Sequence, residues 1–84
     1  MEPRGLISIT PNPATHSFSI DFGNSGVNEV SVKIYDSYGV LRRRIARADE
    51  GTVFSTTHLP NGIYFVTITR EGSGFNTQKL VVTK

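Results

Sequence analysis

Apolar residues in this chain recur at every second position, and they do so in short stretches separated by turn residues. "HSFSIDF" (16–22) sets Phe18, Ile20 and Phe22 against Ser17, Ser19 and Asp21. "EVSVKIY" (29–35) sets Val30, Val32 and Ile34 against Ser31 and Lys33. "GIYFVTIT" (62–69) points Tyr64, Val66 and Ile68 one way, and "KLVVT" (79–83) does the same with Leu80 and Val82. Successive side chains of a strand point to opposite faces, so this spelling belongs to strands with one face buried. "LISIT" (6–10), the less regular "VLRRRIA" (40–46) and the short "GTVFST" (51–56) bring the number of expected strands to seven. No segment carries a convincing helical period. The expected fold class is all-β.

Eighty-four residues make one domain with a thin core, and the absence of cysteine removes disulfides and any Cys-based zinc site. The turns therefore have to be well specified, and they are. In "TPNPAT", Pro11 and Pro13 lack the backbone donor and push Thr10 and Asn12 toward extended conformations, so a ladder stops there. "YDSYGV" reads as a hairpin. Asp36 accepts from the backbone two residues on, and Gly39 suits the left-handed position of a three-residue loop. "FGNSGVN" and "REGSGFN" read as glycine-rich loops. Several short strands at this spacing argue for an antiparallel β-sandwich. In the immunoglobulin-like kind of sandwich a tyrosine near the start of the sixth strand bonds back to the chain upstream. Leu59, Gly62 and Tyr64 in "LPNGIYFV" occupy that place.

Chemistry-bearing motifs are sparse. His16 and His58 lack a second histidine at ligand spacing, and no HExxH is present. Serines, histidines and three aspartates occur, but without the Gly-x-Ser-x-Gly elbow, and the glycine loops lack the phosphate-cradling GxxxxGK[ST] pattern. A small sandwich also has little room for a water-excluding pocket. No catalytic residue, metal site or cofactor is expected. The net charge of +2 is mild. Its one concentration is Arg42, Arg43 and Arg44, with Arg47 following. Arg42 and Arg44 share one face of the strand, and Arg43 shares the other with Leu41 and Ile45, so an arginine meets the core edge whichever face is buried. Two readings stand together: a charged edge strand that discourages pairing with neighbours, and a basic patch for phosphate or carboxylate groups. Aromatics are not interleaved with these arginines, which argues against nucleic acid. No apolar run reaches the ~20 residues of a membrane-spanning helix, and direct membrane insertion is not expected. Residues 1–5 read as an irregular leader or linker ahead of a domain over 6–84.

Read in order, "ISITPNPAT", "VKIYDSYG", "LPNGIYFVTI" and "QKLVVTK" resemble the C-terminal sorting domain of type IX secretion, the Por system of Bacteroidota. Each piece alone is ordinary turn or strand chemistry; the four in this order, over Ile7 to Lys84, are specific. Pro11, Asn12 and Pro13 match the family's opening motif. Asp36 and Gly39 match its hairpin, Leu59, Gly62 and Tyr64 its corner, and Lys79, Leu80, Val81, Val82 and Lys84 its terminal motif. Thr10 departs from the bulkier residue often found before the prolines. The resemblance implies a seven-stranded immunoglobulin-like sandwich and a secretion signal that directs an N-terminal cargo domain through the outer-membrane translocon. It also implies partners in the translocon and in a sortase-like protease that removes the tail. The implied itinerary runs through the periplasm to the outer-membrane surface or the medium. On that reading the terminal motif is the recognition element. The competing readings are a fibronectin-like adhesion or carbohydrate-binding module, for which Tyr38 and Phe75 would be the exposed aromatics, and a structural spacer, which an ending at Lys84 disfavours.

Overall fold

The computed structural model describes residues 8–11, 13–21, 29–49, 51–70 and 75–84, with Phe75 described by its backbone only. Strands β1 (Ser8–Thr10), β2 (Ser17–Asp21) and β5 (Val53–Ser55) form a three-stranded sheet in the order β1-β2-β5. Strands β3 (Glu29–Asp36), β4 (Leu41–Asp49), β6 (Gly62–Arg70) and β7 (Phe75–Val82) form a four-stranded sheet in the order β4-β3-β6-β7. Every strand pairing is antiparallel. No helix occurs among the described residues. The molecule is an all-β, immunoglobulin-like sandwich, as the alternation predicts.

The inward positions read from the sequence are those that the core uses. Phe18 and Ile20 from β2 and Phe54 from β5 meet Val32, Ile34, Val66 and Ile68 from the facing sheet. Phe18 and Phe54 are also direct cross-strand partners, stacked with ring centroids 5.1 Å apart. Such aromatic pairs contribute about 0.5–1.5 kcal/mol beyond the area they bury. The expected start of the first strand at Leu6, the residue Phe22 and the leader over 1–5 lie outside the described residues.

Two strands differ from expectation. The β4 strand runs on to Asp49, because two register shifts against β3 let it continue past the point where its alternation fails. Val32 faces Ile45 and Val30 faces Ala48, so three steps on β4 match two on β3. A bulge of this kind re-aims the side chains beyond it and deepens the local twist. β7 begins at Phe75, four residues before the expected strand, so Arg70, Phe75 and Asn76 belong to strands and not to a glycine loop. The ladder against β6 carries it there, through Thr69–Phe75, Ile68–Asn76 and Thr67–Thr77 pairs. The missing signal was apolar. Asn76 and Gln78 stand opposite the core residues Ile68 and Val66, and the Gln78 side-chain amide donates to the Asn76 side-chain carbonyl at 2.6 Å, which satisfies both on this edge strand.

The proline segment is the crossing between sheets. β1 pairs with β2 in one sheet; past Pro11, which follows a cis peptide bond, and Pro13, Ala14 lies against β7 of the other. The Ala14 amide donates to the Val81 carbonyl at 2.7 Å, and the Thr83 amide donates to the Ala14 carbonyl at 2.9 Å. Proline explains the change of partner: it cannot extend the first ladder. At the opposite turn, Leu59 is buried and its amide donates to the Thr56 carbonyl at 2.9 Å. Gly62 holds φ at 156°, a conformation that side-chain-bearing residues rarely adopt. Tyr64 is buried, and its hydroxyl donates to the Pro60 carbonyl.

The corner yields graded losses of stability. Tyr64→Ala is expected to cost about 3–5 kcal/mol, as other buried aromatic truncations do. Tyr64→Phe removes only the hydrogen bond and costs about 1 kcal/mol. Gly62→Val destabilises through its backbone alone, since a Cβ there meets nothing within 4 Å. Equilibrium denaturation in urea reads all three; parent-like midpoints throughout would refute the structural tie.

Candidate recognition site

The terminal motif is divided by the pleat. Leu80 (0% exposed) and Val82 (1%) are core residues, opposite Tyr64 and Gly62. Lys79 and Val81 point to the outer face, Lys79 exposed opposite Phe65 and Val81 half-buried opposite Ile63. The chain then leaves the sheet under constraint. The Lys84 amide donates to the Asn61 side-chain carbonyl at 3.0 Å, and its ammonium donates to the Thr57 carbonyl at 3.3 Å. The end of β7 is thus bound on one flank by β6, on the other by Ala14, and beyond its last residue by the turn that precedes β6.

The hairpin between β3 and β4 takes the predicted form. Gly39 sits at φ 84°, and its amide donates to the Asp36 carbonyl at 3.0 Å. The Asp36 carboxylate accepts from the amides of Tyr38 (2.9 Å) and Val40 (3.0 Å), with the Arg42 guanidinium 3.5 Å away. The Val40 amide is the main influence that holds this carboxyl below its ordinary range, followed by an opposing desolvation and then by Tyr38 and Arg42. Hydrogen bonds to the charged form favour ionisation.

The three arginines part company. Arg42 pairs with Asp36. Arg43 stands opposite Ile34, on the core-facing side of an edge strand, and donates to the Ser55 carbonyl of β5 at 3.5 Å. It thereby joins the margins of the two sheets. Arg44 remains on the outer face, directly opposite Lys33. Arg47 lies 3.7 Å from Glu29 at the far end of the same strand pair. The basic run is therefore spread over three surroundings, and its bulged strand is the reason.

His16 and His58 are exposed, and among the described residues neither belongs to a group of three or more ligand-type side chains. The backbone of His16 has a role that its side chain lacks: its carbonyl accepts the Thr56 amide at 2.9 Å. Thr56 is fully buried, and its hydroxyl donates to the Thr15 carbonyl at 2.9 Å. Thr56, Ala14 and Asn61 are the residues that sequence reasoning missed. Thr56 ends a three-residue strand and Ala14 is a lone small residue after Pro13, so neither falls in a periodic pattern. Asn61 alone carried a hint, from its place in the Leu-Pro-Asn-Gly corner. Of the loop aromatics weighed for sugar stacking, Tyr38 is exposed at the hairpin tip, whereas Phe75 opens β7.

Comparison with family models matches residues 8–83 to the secretion system C-terminal sorting domain, Por_Secre_tail. Comparison with curated proteins gives no match.

The Asp36 geometry has a pH signature. A carboxyl whose folded pKa is depressed contributes stability that is fully present above its unfolded pKa, near 3.8, and is lost as pH falls through the lower folded value. Carbon-detected NMR titration of the side chain should give a midpoint below the ordinary one, moving back toward it in Arg42→Gln. A midpoint at or above the ordinary value would refute the arrangement.

Proposed function

Because the chain belongs to the family of secretion system C-terminal sorting domains, we propose that the address it carries is a folded surface, with the terminal motif held in place by the core and not displayed as a flexible tail. The domain is a secretion signal of the type IX system. It acts as part of a parent protein that carries cargo, in association with the secretion machinery, and its destination is the cell surface or the extracellular space. The family match carries this function and does not favour an adhesion module.

The domain is recognised in the periplasm after the cargo has crossed the inner membrane. It then leads the cargo through the outer-membrane translocon and is removed by a sortase-like protease. Recognition centres on Lys79, Val81 and Lys84, with Leu80 and Val82 fixing their position from within. What supports this division is burial: a receptor that meets the folded domain cannot touch Leu80 or Val82, but it can reach the outward side of the same strand. Side-chain pockets that take alternate positions of one strand are a common element of strand recognition.

Fusing residues 6–84 to a periplasmic reporter, in hosts with and without the translocon, tests the function. Extracellular reporter only in the competent host is the expected result; periplasmic retention in both would overturn it. Two variants separate address from scaffold. Leu80→Ala is expected to cost about 2–5 kcal/mol and to fail by unfolding. Lys79→Ala with Lys84→Ala should change stability by no more than about 0.5 kcal/mol for each surface position, yet leave cargo in the periplasm. Parent-like export of the double lysine variant would move recognition away from the terminal strand.

A further inference from the structure

The outer face of the four-stranded sheet is zoned along its strands. At the hairpin end, cross-strand pairing aligns Leu41, Tyr35, Phe65 and, at the β7 margin, the basic Lys79, and sets Ile63 beside Val81 in the adjoining row. These five apolar residues span all four strands, a width of about 14 Å at the usual strand spacing. Leu41 (46%), Ile63 (44%) and Phe65 (39%) are largely open to solvent. The next row brings Lys33 directly opposite Arg44. The acidic Glu29 and Asp49 lie opposite each other at the far end of β3 and β4.

We propose that this apolar band with its basic border is a docking surface for an acidic protein partner, one that presents an apolar centre flanked by carboxylates. Charge complementarity selects that occupant. Like charges directly opposite on a sheet destabilise it, and among the described residues neither Lys33 nor Arg44 has an ion-pair partner. Carboxylates delivered from outside remove that repulsion while the apolar centre covers Tyr35, Leu41 and Phe65. A second copy stacked face to face about an axis along the strands would set the Lys33 and Arg44 row against its own counterpart, which like-charge juxtaposition disfavours. A lipid surface is the poorer fit: the band lies flat on a sheet, whereas interfacial anchoring buries an apolar face about 5–10 Å deep into the headgroup region. The far end gives an acidic partner no comparable basic row, since Arg47 there already lies 3.7 Å from Glu29 and Asp49 stands beside them. A band this small falls below the area of long-lived complexes and suits a contact that forms and releases quickly. The surface shares Val81 with the export reading but does not rest on it, because its test uses the purified chain; export can fail with binding intact, and the reverse.

The probe is a synthetic peptide alternating glutamate with leucine, titrated at low ionic strength into the isotope-labelled 84-residue chain and followed by NMR. Shifts confined to the neighbourhood of Tyr35, Leu41, Ile63 and Phe65 are expected, with binding weakened about tenfold or more by Lys33→Glu with Arg44→Glu at an unchanged melting transition. Phe65→Ser should weaken it as well, and raising the salt to about 0.15 M should weaken the parent but not the charge-reversed variant. The proposal is overturned by equal binding of a matched lysine–leucine peptide, by shifts centred on other strands, or by indifference to the charge reversal. Self-association through these residues in sedimentation would assign the face to a second copy instead. Binding to phosphatidylglycerol vesicles with the same residue dependence, without peptide binding, would assign it to a membrane.

Discussion

Tyr64 is the point through which most of the sandwich is connected. Its position on β6 pairs with Asp36 of β3 on one side and with Leu80 of β7 on the other. Its ring is buried in the core, and its hydroxyl ties β6 to Pro60 in the turn that arrives from the opposite sheet. Gly62, two residues earlier, supplies the backbone conformation that lets the chain enter β6 at this angle. A domain of this size buries only about 60–65% of the surface of its unfolded chain, so it has few contacts to spare. One aromatic residue that serves a hairpin, a terminal strand and an inter-sheet turn together explains how a cysteine-free chain can hold a defined shape.

The edges show how the same chain manages its exposed hydrogen-bonding groups. β4 is an edge of the larger sheet, and it carries four arginines and two register shifts, both of which hinder pairing with another molecule. Arg43 adds a second service by reaching the smaller sheet at Ser55. The other edge, β7, is covered at its end by Ala14. Charge protects one side and a stretch of the chain itself protects the other.

What could be read from the sequence follows from this division of labour. Strands with one face in the core, such as β2, β3 and β6, spell their burial in alternate letters and were legible residue by residue. The Asp36–Gly39 hairpin was legible because each of its residue types has a local mechanism. β4 was harder, because a bulge shifts the phase of alternation and leaves no mark that a two-residue period can find. The start of β7 was hidden because Asn76 and Gln78 satisfy each other on the inner side of an edge, where apolar residues are the usual signal. Ala14 was invisible for a different reason: its importance lies in two backbone bonds to residues far away in the sequence, and backbone bonds are not written in side chains. The dispersal of Arg42, Arg43 and Arg44 could not be read either, since it depends on the β4 register.

The Ala14 clasp has a consequence for completeness. Its partners, the Val81 carbonyl and the Thr83 amide, lie far downstream of Ala14 in the chain. Contacts so distant in sequence carry a large loop-closure cost, because the intervening chain must be drawn together to make them. A chain without β7 would lack Leu80 and Val82 from its core and leave both polar groups of Ala14 without these partners. The finished sandwich therefore certifies that β7 has been made and seated, and only a protein that includes β7 wears the complete surface.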